Sequence, residues 1–255
     1  MVEIKTDANL LLMREAGRVV AQALQAVRDK AAPGVTPAEL DGVAREVLAA
    51  AGAGSPFLGY RPNWALVPFP ATLCLSVNDA IVHGVPDATP LADGDLVSAD
   101  FGAVLDGWVG DAAISFTVGR ARPADTRLID TAYAALEAGI AAAVVGNRVG
   151  DIGHAIARVC RTAGYGIPDG MGGHGVGRSM HEGPDVPNEG RPGRGMPLRH
   201  GMVLAIEPML IAGGDDAHYT APDGWTIRTL DGSRAAHTEH TIAITDAGPR
   251  ILTAL

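Results

Sequence analysis

Four carboxylates and one imidazole, Asp100, Asp111, His174, Glu207 and Glu239, fall in separate short stretches of a 255-residue chain. Oxygen and imidazole donors without a thiolate make a hard ligand set. Such a set can hold two divalent ions side by side for hydrolytic chemistry. Whether the five converge decides the function, and the elements that carry them decide whether they converge.

The stretch D-G-D-L-V-S-A-D-F-G-A-V-L-D-G-W-V-G-D-A-A-I-S-F-T-V reads as two strands around an Asp106-Gly107 turn, a strong hairpin signal. That loop pairs Asp100 with Ala113 and Asp111 with Gly102. The two carboxylates become diagonal neighbours on one face, roughly 7 to 8 Å apart at the backbone. Both then reach a shared pair of ions, which lie about 3.5 to 4 Å apart in such sites. Gly102, Ala112 and Ala113 leave room beside them. Taken alone, Asp100 equally fits a strand end and Asp111 a polar hairpin position.

His174 and His181 share the run G-M-G-G-H-G-V-G-R-S-M-H-E-G-P, with five glycines between Gly170 and Gly177. Glycine there admits unusual backbone angles and is expected to let a polymer substrate come close. A dinucleotide-binding loop does not fit, because the position for the third glycine is Met180. A single histidine is more often structural than a ligand; two in a glycine-rich run shift that balance. Glu207 in M-V-L-A-I-E-P-M-L-I and Glu239 in H-T-E-H-T-I-A-I-T stand at or inside apolar, β-branched runs. A buried charged carboxylate needs a cation or strong hydrogen bonds. The partner is either a metal or one of Arg228 and Arg234.

The positioning elements are legible around these stretches. Leu10, Met13, Gly17, Val20, Leu24 and Val27 recur at helical spacing, with Thr6 or Asp7 as cap and Pro33-Gly34 as stop. Thr36-Pro37-Ala38-Glu39 is a capping box opening a second helix that ends near Gly52. An alanine-rich third helix is expected over 124–145, and a fourth, capped by Asp151, to about Gly164. Each half therefore offers two helices followed by strands. A doubly wound α/β fold would instead alternate strands with single helices.

Composition excludes several classes. The chain is 47% hydrophobic, enough for one sizeable core, and a single catalytic domain over 1–255 is expected. A formal net charge of −9 without a basic tract argues against nucleic acid or an anionic membrane as partner. Cys74 and Cys160 form no C-x-x-C pair, so no zinc knuckle or disulfide framework is indicated. The N-terminus has no apolar signal core and no run nears the roughly 20 residues that span a bilayer. A cytoplasmic protein is expected.

At this point the chain resembles the type I methionine aminopeptidases, in the pita-bread family that also holds prolidases and creatinases. The matching pieces are S-V-N-D-A-I-V-H-G-V-P-D, D-L-V-S-A-D-F-G with D-G-W-V-G-D, G-H-G-V-G-R-S-M-H-E-G-P, M-V-L-A-I-E-P-M, and D-G-W-T-I-R-T with T-E-H-T-I, in the family's order. The resemblance implies an α+β pita-bread fold of two pseudo-symmetric halves, with antiparallel strands covered by helices. It also implies two divalent ions (Co, Mn, Fe or Zn) and removal of the initiator methionine from nascent polypeptide N-termini, preferring a small second residue, by a monomer. Asp100 and Asp111 would bind metal, Glu239 would bridge, and His174 and Glu207 would complete one ion. Glu207 would also shuttle a proton. His83 and His181 would contact substrate, near the scissile amide and the developing oxyanion. Taken alone, His83 also fits a strand end and His181 a helix or turn cap.

Tyr60, Cys74 and Trp225 would line the methionine pocket, with Phe57 and Met180 nearby. Met180 stands where many relatives have an aromatic residue, and R-P-N-W-A-L-V-P-F-P-A after Tyr60 is longer than in the commonest bacterial members. That stretch reads as a packed rim loop or as a surface insertion without function. The rival readings are an X-Pro aminopeptidase or dipeptidase of the same fold, which would usually carry a large extra N-terminal domain, and a non-catalytic peptide-binding member, which would lose ligands.

Overall fold

A computed structural model describes residues 2–255. In chain order the elements are α1 (Asp7–Lys30), α2 (Pro37–Ala51), β1 (Leu73–Val77), β2 (Ala80–Val82), β3 (Leu96–Leu105), β4 (Trp108–Thr117), α3 (Pro123–Ala142), α4 (Val149–Thr162), β5 (Gly172–Gly175), β6 (Glu182–Pro187), β7 (Val203–Ile206), β8 (Met209–Ile211), β9 (His218–Thr220), β10 (Ile227–Thr229), β11 (Ala235–His237), β12 (Glu239–Thr245) and β13 (Gly248–Ile251). An eight-stranded sheet runs β1-β3-β4-β12-β7-β5-β6, with β13 added to β12; β2-β10-β9 and β11-β8 form smaller sheets.

Local chemistry explains the boundaries. The Thr6 side chain accepts the Asn9 amide and starts α1, while Thr36 and Glu39 form the reciprocal box that starts α2, which ends on Gly52 in the left-handed region. Asp106 and Gly107 both have positive φ, 51° and 74°, as a tight two-residue hairpin requires. Asp100 pairs with Ala113 and Gly102 with Asp111, the register expected from that turn.

Two local expectations need correction. Helix α3 stops at Ala142 rather than 145, because Asn147 turns back to donate its side-chain amide to the Ala142 carbonyl at 2.9 Å and Gly146 takes φ 98°. Asp151 is not the cap of α4. It lies inside the first turn and accepts the Arg148 amide at 2.7 Å and the Gly193 amide at 2.8 Å, tying helix and following loop together.

The two-helices-then-strands pattern is realised twice against one sheet. Val20, Leu24, Leu40 and Leu48 of α1 and α2 pack on Leu73, Val97 and Phe101. Leu128, Leu136, Ile152 and Ile156 of α3 and α4 pack on Leu204, Ile206, Ile242 and Ile244. Helix α1 reaches the sheet at a glycine contact: a Cβ on Gly110 would lie 2.9 Å from Gly17, and one on Gly17 2.1 Å from the Leu252 carbonyl oxygen. Residue size, not turn geometry, requires glycine there. Among the described residues no helix is long and apolar enough to cross a membrane.

Candidate active site

The carboxylates are set by sheet register. Asp100 on β3 and Glu239 on β12 both pair with Ala113 on the intervening β4, so the three form one row across adjacent strands. Asp111 is two residues from Ala113 on β4 and shares its face, by the period of two along a strand. Ala113 contributes only a methyl group to the row, which leaves the space above it to the acids.

The other half supplies the remaining donors. His174 on β5 has Nε2 3.8 Å from Asp111 Oδ2 and 3.6 Å from Glu207 Oε1. Its Nδ1 lies 2.9 Å from the Gly175 carbonyl oxygen. Donation to that carbonyl fixes the proton on Nδ1 and leaves Nε2 as the free ligand atom. Glu207 lies in the break between β7 and β8, not inside a strand, and Asn188 holds its backbone carbonyl at 2.9 Å.

These groups fit divalent cations. Asp111, His174 and Glu239 each offer a donor atom, all within 4.8 Å of one another and all buried. Asp100 Oδ1, Asp111 Oδ1 and Glu239 Oε1 are buried without hydrogen-bond partners, which the protein tolerates only where something else satisfies them. Burial first, and then the Asp111 and Glu207 charges, hold Asp100 well above the carboxylate range. Burial and Glu207 do the same to Asp111, and burial with Asp111, Glu207 and Asp100 to Glu239. Burial pushes Glu207 up to about 8. The arginine alternative fails: Arg228 pairs with Asp79 at 2.5 Å and Arg234 with Asp125 at 2.6 Å.

The cavity over this cluster has a volume of about 250 Å³, and all twelve residues named from the sequence line it. Phe57, Cys74, Met180 and Trp225 are buried and belong to one apolar cluster, against which Tyr60 packs. Burial, and secondarily the Asp100 charge, push the Cys74 thiol well above its usual range, which leaves it little thiolate character. His83 follows β2 at φ 57°, with Nδ1 buried and unpartnered. His181 stacks on Tyr60 at 5.4 Å between ring centres, and the Tyr60 hydroxyl lies 3.0 Å from its Nδ1. Burial lowers both histidines to about 4, helped by His237 and His181 for His83 and by His174 for His181. Both are neutral at neutral pH.

The glycine run, of which Gly172 lines the cavity, also has a packing reason. A Cβ on Gly173 would sit 2.1 Å from the Ala205 carbonyl oxygen, and one on Gly175 2.2 Å from that of Gly183. These residues let β5 press against neighbouring backbone; of the five, only Gly170 has positive φ.

Sequence reasoning missed His237. It is buried on β11, both ring nitrogens lack partners, and Nε2 lies 3.5 Å from Glu207 Oε2. Ser98 and Ser115 fix its backbone: both hydroxyl oxygens accept the His237 amide, and Ser115 donates to its carbonyl at 2.8 Å. The available signal was its place two residues before Glu239 in H-T-E.

The sequence model of metallopeptidase family M24 matches residues 11–246. The chain belongs to that family. This M24 peptidase is 52% identical to methionine aminopeptidase 1 of Mycobacterium tuberculosis over 99% of its own length and 95% of that protein's. Its structure matches the methionine aminopeptidase of Thermotoga maritima with a TM-score of 0.95 at 40% identity, covering both chains fully. It matches a prolidase from Pyrococcus horikoshii at 0.76 and 22% identity, over 98% of this chain and 63% of that one, which is a likeness of fold. The fold is the pita-bread arrangement, and the enzyme is a metal-dependent peptide hydrolase whose buried Asp, His and Glu cluster is a divalent-metal site.

Proposed function

We infer that this M24 peptidase removes the N-terminal methionine from nascent proteins and peptides, preferring a small second residue. The observation that carries this reading is the juxtaposition of the buried Asp, His and Glu cluster with a small apolar recess in one cavity. Relatives named methionine aminopeptidase that match the chain over nearly its whole length support it.

Asp100, Asp111, His174, Glu207 and Glu239 would hold two ions, Mn, Fe, Co or Zn, since four acids and an imidazole exceed what one ion needs. When bound, the ions supply Lewis acidity and a water acidified toward neutrality. The chain's own groups do the rest. Glu207, beside the cluster, would accept a proton from the attacking water and return it to the leaving amine. A Tyr60 hydroxyl donating to His181 Nδ1 keeps the proton of that neutral ring on Nε2, as a donor toward the developing oxyanion. His83 contacts the scissile amide. Phe57, Tyr60, Cys74, Met180 and Trp225 receive the first side chain, and an unbranched thioether suits a narrow aromatic recess.

We assign the whole chain to one catalytic domain acting as a cytoplasmic monomer on emerging polypeptides, with ribosome docking through a local patch.

The test is hydrolysis of Met-Ala-Ser and Ala-Pro-Ser peptides by metal-stripped protein with Mn(II) or Co(II) restored. Metal-dependent release of methionine alone is expected. Cleavage of the prolyl peptide would overturn the specificity, and cleavage of neither would overturn the activity.

A further inference from the structure

The loop over 61–71 is tied to the cleft at several points. The Phe69 amide donates to the Tyr60 carbonyl at 2.8 Å and the Gly59 amide to the Phe69 carbonyl at 2.9 Å. The Trp225 indole N–H donates to the Val67 carbonyl at 3.0 Å. Phe69 is buried edge-on against both Phe57 and Trp225, at 6.4 and 5.1 Å between ring centres. Two residues of the methionine recess therefore anchor the loop, which argues against a free surface insertion.

What the loop carries is Trp64. Its ring lies nearly parallel over His83, 6.1 Å between centres at 19°, and meets Trp225 edge-on at 5.0 Å. Trp64 is 57% exposed whereas Trp225 is 3% exposed, yet both line the cavity. The exposure gradient puts Trp225 at the closed end and Trp64 at the mouth. A peptide cut after its first residue keeps that residue in the closed end and leads the rest outward. Its second side chain therefore emerges beside the scissile bond, next to His83 and under Trp64. Leu58, Leu66 and Val67, also exposed, do not line the cavity.

We propose that Trp64 is a specificity-determining residue, its indole taking the space where the second side chain of the substrate emerges, so that small side chains pass and branched or large ones are excluded. The assignment deepens the aminopeptidase reading and rests on it.

The test compares kcat/KM for Met-Ala-Ser and Met-Leu-Ser in the metal-loaded protein and its Trp64→Ala, Trp64→Phe and Leu66→Ala variants. Trp64→Ala should lower the preference for alanine over leucine about tenfold, the lower end of what one misfitting side chain is worth. Its metal content should stay essentially unchanged. Trp64→Phe should shift the preference less, and Leu66→Ala not at all. An unchanged preference in Trp64→Ala, a parallel loss on both peptides, or the same shift in Leu66→Ala would overturn the proposal. Failure of the unaltered protein to cleave Met-Ala-Ser would instead overturn the aminopeptidase reading, and the assignment with it.

Discussion

The two walls of the cleft are built on opposite principles. The polar wall stands on the sheet: Asp100, Asp111 and Glu239 sit on three adjacent strands at positions fixed by ladder register, and His174 on a fourth. The apolar wall leans mostly on loops: Cys74 is on β1, but Phe57, Tyr60, Trp64, Phe69 and Trp225 lie outside the strands and hold one another through ring contacts and a few backbone hydrogen bonds. Displacing a carboxylate would require breaking a central ladder, whereas an aromatic on a loop can be exchanged locally. On the proposed assignment, chemistry would ride on the rigid element and selection on the adjustable one.

The largest expected effect strikes the polar wall. Glu207→Gln should lower kcat about 10²- to 10⁴-fold, as loss of a general acid–base group does, measured under saturating metal and substrate. A change confined to KM would put Glu207 among the groups that only bind.

His237 stands behind that wall, with Nε2 3.5 Å from Glu207 Oε2. His237→Ala should weaken metal affinity by about 10- to 100-fold, the usual consequence of removing a group that orients a ligand. Titration calorimetry reads this directly, and His237→Gln, which keeps an N–H donor, should recover most of it. Equal affinity in all three proteins would remove His237 from the account.

Acid–base linkage separates the walls without any substitution. Asp100, Asp111, Glu207 and Glu239 all have folded pKa values above their ordinary ones, so their contribution to stability is present at low pH and lost as pH rises, through about 8 for Glu207. The buried His83, His181 and His237 are lowered to about 4, 4 and 3 and act in the opposite sense, below their ordinary 6.5. From pH 6.5 to 8 the carboxylates act alone. The Tm of metal-free protein should fall across that window, and divalent metal should suppress the fall. A metal-free Tm that rises there would contradict the burial of the acids.

The smallest effect belongs to the apolar wall. Cys74→Ala should leave kcat on Met-Ala-Ser nearly unchanged, and thiol reagents should label Cys74 slowly at neutral pH, because its thiol is held well above its usual range. Loss of turnover on that replacement would make the wall part of the chemistry.

The walls also differ in how far they could be read from the chain. The Asp100–Asp111 hairpin was legible because an Asp-Gly turn dictates its own register over neighbouring residues. The row through Glu239 was not, since pairing β12 with β4 is a long-range choice that no local pattern encodes. Apolar flanks placed Glu207 at or inside a strand, where the structure has a break ahead of Pro208. The end of α3 moved because a side-chain cap from Asn147 outweighed alanine propensity. Glycines read as room for substrate are also room for backbone, a contact that only the fold could reveal. His237 escaped notice because a lone buried histidine looks alike whether it is structural or oriented at a site. For the aromatics, family motifs named residues whose contacts only the fold could assemble.

The most direct test of the central claim is the metal stoichiometry of the stripped protein, read by calorimetric titration with Co(II) in buffers of differing ionisation enthalpy. Two ions per chain are expected, with protons released on binding because the buried acids must ionise to take them up. Full peptidase activity with one ion, or saturation without proton release, would contradict that claim.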